Sequence, residues 1–194
     1  GGCALQHLDV PAQIAHKHSV LKEQLKHFGK VEAGEWVAPL SVEPLGYRTK
    51  ARLAVRDVPK KGGALVGFRE VANRCVTDMR HCPILHPSVG QDLQMLRDLV
   101  NGLSCKSQIP QLLVAVDDTK TALTVRHLQP LTDDDLKQVK AFGQVHNFWM
   151  YLQPEKDDST HLVWPEQSAA YLTYALPEYG VQLDFMPYDF TQVN

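Results

Sequence analysis

Cysteine and histidine crowd into one short stretch of this 194-residue chain, His81-Cys82-Pro83-Ile84-Leu85-His86, with Cys75 just upstream. Thiolates and imidazoles bind zinc, but a zinc site usually takes a close ligand pair from one turn. Cys3, Cys75, Cys82 and Cys105 contain no Cys-x2-Cys spacing, which argues against zinc. An iron–sulfur cluster can take thiolates from distant segments. The small residues of Gly1-Gly2-Cys3 would let the backbone fold tightly round one. On residue type and spacing alone, all four cysteines read first as buried, inert thiols. The run Asp133-Asp134-Asp135 offers carboxylates for Mg²⁺. Acids in the first turn of a helix also complement its dipole, and Thr132 with Asp135 resembles a capping box, which is the stronger reading. The nine histidines have no paired spacing, and no Ser–His–Asp order, phosphate-binding Gly loop or paired carboxylates stand out. No catalytic residue is assigned.

A second kind of chemistry is electrostatic. From Gly46 to Arg56, Tyr47, Thr49, Ala51, Leu53 and Val55 alternate with Arg48, Lys50, Arg52, Ala54 and Arg56. On a β-strand that alternation gives one apolar face and one row of cations, roughly 26 Å long at about 3.3 Å per residue. Such a row can follow a nucleic-acid backbone or can be a solvated outer face. Its surroundings favour the first: between Tyr47 and Arg80 nine Lys and Arg residues stand against three acids, a local charge of +6 in a chain of net charge −2. Local concentration sets the potential that a phosphate feels, so the pattern predicts a basic patch on an acidic body. At the other end, Phe190-Thr191-Gln192-Val193-Asn194 combines an aromatic face with amides that can read a base edge or a cofactor; Phe190 as core and Gln192 as surface is the plainer alternative.

These residues need a scaffold. With 44% apolar and 22% charged residues, the chain is ordinary for a soluble globular protein. No apolar run approaches a membrane span, no signal pattern opens the chain, and the cysteines do not make a secreted disulfide framework, so the cytoplasm is expected. Asp9 predicts a helix from Pro11 to Gly29 with Ile14, Leu21, Leu25 and Phe28 on one face. The basic strand should turn at Pro59–Gly63 and return over Ala64–Val71. A helix over Ser88–Leu103, a hairpin of Leu112–Val116 with Ala122–Leu128, and a helix from Thr132 through Phe142 follow. Phe148–Leu152, Tyr171–Ala175 and Val181–Phe185 complete the expected strands. The fold class is α+β, an antiparallel β-sheet with flanking helices.

Taken in order, Gly1-Gly2-Cys3, Gly46-Tyr47-Arg48 through Ala51-Arg52-Leu53, Gly67-Phe68-Arg69, Cys82-Pro83-Ile84-Leu85 and Asp189-Phe190-Thr191-Gln192-Val193-Asn194 closely resemble the bacterial RNA uracil-5-methyltransferases of the RumA type (RlmD), which act on large-subunit ribosomal RNA. The resemblance covers essentially the whole chain. It implies that Cys3 and Cys82 are two ligands of a [4Fe–4S] cluster, the other two lying just upstream in a Cys-x5-Cys-Gly-Gly-Cys pattern. Cys75 and Cys105 match no ligand position. It implies that Gln192 contacts S-adenosylmethionine, that Phe190 supports the flipped base, and that Arg48, Lys50, Arg52, Arg56 and Arg69 face RNA. Residues 1–188 would be the central domain of such an enzyme. Residues 189–194 would start the linker to a Rossmann-like methyltransferase domain that is missing, as is the N-terminal TRAM barrel. The expected partner is 23S rRNA, with no membrane, and the expected state is a monomer without methyltransferase activity of its own. A related enzyme acting on another rRNA uridine or on tRNA, and a stand-alone non-catalytic RNA-binding module, are the alternatives.

Overall fold

A computed structural model of the chain describes residues 4–71, 73, 75–166 and 169–191, so Cys3 and Gln192 lie outside the described residues. Two compact units divide the chain, Gly1–Pro44 and Leu45–Asn194.

In the first unit, α1 (Val10–Gln24) begins where Asp9 predicts, its Oδ1 accepting from the Ala12 N–H at 2.8 Å. Pro11 occupies the first turn, where a missing N–H breaks no helical bond. A π-helical turn, Leu25–Gly29, continues the helix, and Lys30 ends it at φ 53°. The expected core face does not form: α1 has no buried residue, and Leu21 and Phe28 are 48% and 86% exposed. The reason is that residues 30–44 form no regular second layer within the unit. One aromatic contact takes its place, with the Trp36 ring 4.8 Å from that of His18 and beneath Lys22 Nζ at 5.1 Å.

The second unit is built on a six-stranded sheet. Its strands are β1 (Lys50–Val58), β2 (Gly63–Gly67), β3 (Gln111–Val116), β4 (Thr121–Arg126), β5 (Phe148–Gln153) and β6 (His161–Trp164). They lie in the order β2-β1-β3-β4-β5-β6. All pairs are antiparallel except β4 with β5, which are parallel because α4 (Asp133–His146) carries the chain back between them. The mixed α/β layout with flanking helices keeps the expected class and adds that crossover. A separate antiparallel pair, β7 (Leu172–Leu176) and β8 (Val181–Phe185), follows.

Val89, Leu93, Leu96, Val100 and Leu103 are all buried, as their spacing predicts, but the helix is broken into α2 (Pro87–Gly90) and α3 (Gln94–Gly102). The break has local causes. The Leu93 N–H donates to the Arg80 carbonyl at 2.8 Å, and Asp92 Oδ1 accepts from the Gln94 N–H at 2.8 Å, restarting the helix. On α4 the capping box is present: Thr132 Oγ1 accepts from the Asp135 N–H at 3.1 Å, and Asp135 Oδ2 accepts from the Thr132 N–H at 3.0 Å.

Register sorts the sheet into two faces. Leu53, Leu112, Val125 and Leu152 share one with Ala51, Val114, Leu123 and Met150. All eight are buried, and α4 presses so closely here that a Cβ on Gly143 would meet Met150 Cγ at 2.6 Å. This is the helix-covered core. The other face is only partly covered, and it carries the cations.

Candidate nucleic-acid interface

Lys50, Arg52, Ala54 and Arg56 project from β1 to the face opposite the helices, since alternate residues of a strand share a side. Their cross-strand partners extend the same face through Leu113 and Gln111 on β3, Thr124 and Arg126 on β4, and Tyr151 and Gln153 on β5. Two covers bound it. At one end, Leu172 and Phe185 of the β7–β8 hairpin pack on Ala115, Ala122 and Tyr151. At the other, Val76 packs on Ala54 and Leu65. Arg52 lies between the two covers, Lys50 beside the first across from Ala115, and Arg56 beyond Ala54 beside the second.

The cation row is shorter than the alternation predicts. Arg48 precedes β1, and its backbone pairs instead with the segment around Cys82: its N–H donates to the Ile84 carbonyl at 2.8 Å, and its carbonyl accepts from the His86 N–H at 2.9 Å. Its Nε donates to the Lys50 carbonyl at 3.1 Å, and its guanidinium lies 5.5 Å from the Phe68 ring centre. Ala54 is buried under Val76 rather than exposed among the cations. Arg52 and Arg56 are exposed. Arg69 is exposed too, but it lies beyond β2, held by a bridge to Val76. The proposed set is therefore brought together in part: Lys50, Arg52 and Arg56 on one strand, Arg48 at its start and Arg69 on the flanking lobe.

Lys50 sits in a mixed field. Burial lowers its pKa, Arg52 lowers it further, and Asp189 and Asp157 oppose the shift. Its ammonium is out of solvent and has no hydrogen-bond partner among the described residues. Arg52 faces Asp157 across 3.9 Å. Two residues of this face were not legible as site candidates in the sequence. Arg126 is 70 positions beyond Arg56, and only the β1-β3-β4 register puts it beside the row. Asp157 comes from a turn that carries no motif.

The hairpin is latched to the sheet by the β3–β4 turn. Asp117 Oδ2 accepts from the Thr173 N–H and Asp118 Oδ2 from the Ala175 N–H, each at 2.9 Å. Burial alone would raise the pKa of Asp117, but hydrogen bonds from the Thr173, Thr119 and Lys120 amides and the Lys120 charge bring it below the usual carboxylate range. Lys120 Nζ lies 3.5 Å from Asp117 and 4.6 Å from the Trp149 ring centre. Beyond the hairpin, Asp189 Oδ2 accepts from the Met186 N–H at 2.7 Å, and Phe190 is 86% exposed, which removes its reading as core.

Of the implied cluster ligands, only Cys82 is described. It is a buried free thiol in a tight corner, its N–H donating to the Gly90 carbonyl at 2.7 Å and its carbonyl 2.5 Å from where a Gly90 Cβ would stand. Among the described residues no group of three or more His, Cys, Asp or Glu could hold a metal ion, so these residues by themselves do not make a cluster site. Cys75 is exposed. Cys105 is buried, and burial, then the nearby Asp135 carboxylate, raise its thiol pKa, as suits an inert thiol. Among the described residues no helix is long and apolar enough to cross a membrane.

No family model matches the chain. In fold it is similar to a tRNA (uracil-54, C5)-methyltransferase from Pyrococcus abyssi, solved with S-adenosyl-L-homocysteine, at TM-score 0.67 and 18% identity, over 100% of this chain and 46% of that one. That likeness bears on the fold alone. In sequence it is similar to curated proteins named 23S rRNA (uracil(1939)-C(5))-methyltransferase RlmD: 44% identical in Alcanivorax borkumensis, 45% in Hahella chejuensis and 46% in Cupriavidus necator, each over all 194 residues. The chain spans 44% of the length of each of these three relatives. Along its whole length, the chain is thus homologous to part of the 23S rRNA uracil-C5-methyltransferases named RlmD.

Proposed function

We propose that this chain supplies the RNA-gripping central part of an S-adenosylmethionine-dependent methyltransferase that forms 5-methyluridine in 23S rRNA, acting in the cytoplasm. The observation that carries the reading is the gathering of Lys50, Arg52 and Arg56 on one partly covered sheet face, in a chain homologous throughout to such enzymes. Residues 1–188 would form the central domain, and Asp189 onward would lead toward the methyltransferase domain.

The division of labour follows from the chemistry. C5 of uracil is a poor nucleophile, so a thiolate adds at C6 and the resulting enolate takes the methyl group at C5. The base must leave its stack to reach that thiolate. The task left to the cation face is to hold the distorted strand by its phosphates, while an exposed aromatic such as Phe190 supports the unstacked base. S-adenosylmethionine supplies the methyl group when bound, and Gln192 is the residue proposed to contact it. Cys3 and Cys82 are proposed as two of four thiolates of a [4Fe–4S] cluster that orders the RNA-binding surface. The thiolate and the base that removes the C5 proton are proposed to belong to a domain outside these 194 residues, so this chain alone should transfer no methyl group.

Mapping 5-methyluridine in ribosomal RNA by nuclease digestion and mass spectrometry, in a strain lacking the gene, tests the reading. One 23S uridine should lose its methyl group, and the intact gene, but not this chain alone, should restore it. Unchanged 23S methylation would refute the assignment, and a loss confined to tRNA would replace it with the tRNA alternative.

A further inference from the structure

Asp157 is placed unusually for an acid on a basic face. It opens the short 3₁₀ turn Asp157–Ser159 between β5 and β6. Its Oδ1 accepts from Gln153 Nε2 at 2.9 Å, and its Oδ2 lies 3.9 Å from the Arg52 guanidinium. Gln153 is buried, and its amide also donates to Thr160 Oγ1 at 3.2 Å, so the carboxylate is aimed by a fixed group. Gln153 belongs to β5 and Arg52 to β1, three strand spacings away, about 14 Å. A carboxylate that touches both lies above the intervening β3 and β4.

The polar groups beneath that position find no partner among the described residues. Lys50 Nζ, Thr124 Oγ1 and Arg126 Nε are buried without a hydrogen-bond partner among the described residues, and all three belong to residues on this face. Thr124 is cross-strand from Leu113, which pairs with Arg52, and Arg126 is cross-strand from Gln153 itself. A buried donor without a partner is costly, and one anion with several acceptor oxygens can serve more than one of them. A carboxylate has two such oxygens and one charge, and Gln153 and Arg52 already engage both. A phosphodiester presents more acceptor sites with the same charge.

We propose that this part of the sheet is a phosphodiester subsite formed by Lys50, Arg52 and Arg126, and that Asp157 is its built-in stand-in, occupying the place of the phosphate until RNA displaces it. The proposal rests on the RNA-binding reading above and adds two residues to it: Arg126 as a phosphate contact and Asp157 as a competitor. Because the Arg52–Asp157 pair is open to solvent, the competition is mild, a brake on binding rather than a block.

The test is the affinity of the 194-residue chain for a labelled single-stranded RNA oligonucleotide, by fluorescence anisotropy, for wild type, Asp157→Asn, Arg52→Gln, the double variant and Arg126→Gln. Arg126→Lys, which keeps the charge, controls for folding. Asp157→Asn should bind about threefold tighter, the size of a surface ion pair. That gain should vanish in the Arg52→Gln background, where there is no pair to break. Arg126→Gln should bind more weakly, with Arg126→Lys largely restored. Wild type that binds in a salt-dependent way, with Asp157→Asn equal or weaker, would overturn the stand-in alone. Arg126→Gln binding like wild type would remove Arg126 from the subsite. Wild type with no salt-dependent binding would overturn the RNA-binding reading and this proposal with it.

Discussion

Asp135 shows how much one carboxylate can organise. Its Oδ1 accepts from the Ser104 N–H at 2.7 Å, and its Oδ2 from Ser104 Oγ at 2.6 Å, the Thr132 N–H at 3.0 Å and Thr132 Oγ1 at 2.8 Å. Burial opposes its charge, but these hydrogen bonds outweigh burial and hold its pKa at about 2. A carboxylate with a depressed folded pKa contributes stability above its unfolded value, lost as pH falls through the folded one. Urea unfolding should therefore show wild type losing about 2 kcal/mol between roughly pH 4 and pH 2. Asp135→Asn should lose a similar amount at pH 7 and flatten that acid limb; an unchanged limb would show that Asp135 does not set it. The capping role was legible from Thr132 and Asp135 alone. The bonds to Ser104 were not, because residues 31 positions apart meet only once α3 and α4 have packed.

At the scale of elements, spacing was legible where one face is buried and weak where pairing is long-range. The β3–β4 hairpin, α4 and β5 fall within a residue or two of their expected bounds, apart from the far end of α4, because their apolar periods match the core they meet; the β7–β8 pair does so although only Leu172 and Phe185 of it are buried. The four-residue β6 has too few residues to show a period. The break between α2 and α3 is made by the Arg80 carbonyl together with Asp92, and the apolar spacing shows neither hydrogen bond. The β7–β8 hairpin depends on the Asp117 and Asp118 carboxylates, which replace the missing neighbour strand along β7. Asp117→Ala with Asp118→Ala should raise hydrogen exchange at the Thr173 and Ala175 amides at least tenfold, a loss of one to two hydrogen bonds. Exchange at β3 and β4 interior amides should stay unchanged; equal acceleration there would mean global unfolding instead of a loosened latch. For wild type, Asp117 predicts the same loosening on acidification, since its depressed pKa makes its contribution present above the ordinary carboxylate range and lost below its folded value.

For the whole molecule, the candidate interface is a product of topology. The sequence shows a row of cations, and the sheet keeps Lys50, Arg52 and Arg56 together, sends Arg48 to the segment beside Cys82, and brings in Arg126 from two strands away. Helices cover one face and a latched hairpin covers part of the other, leaving the cations on the remainder. Gripping RNA through phosphates releases counterions, so binding must weaken steeply with salt, with a slope of about −0.7 per phosphate on a single strand. The most direct measurement is the affinity of the chain for a single-stranded rRNA loop across a salt series, beside the variant Lys50→Ala, Arg52→Ala, Arg56→Ala. The variant should bind more weakly, with a log–log slope shallower by about 2 as three phosphate contacts are lost. Equal affinity and equal slope for the two proteins would contradict this grip, and would leave the row as a solvated face of the sheet.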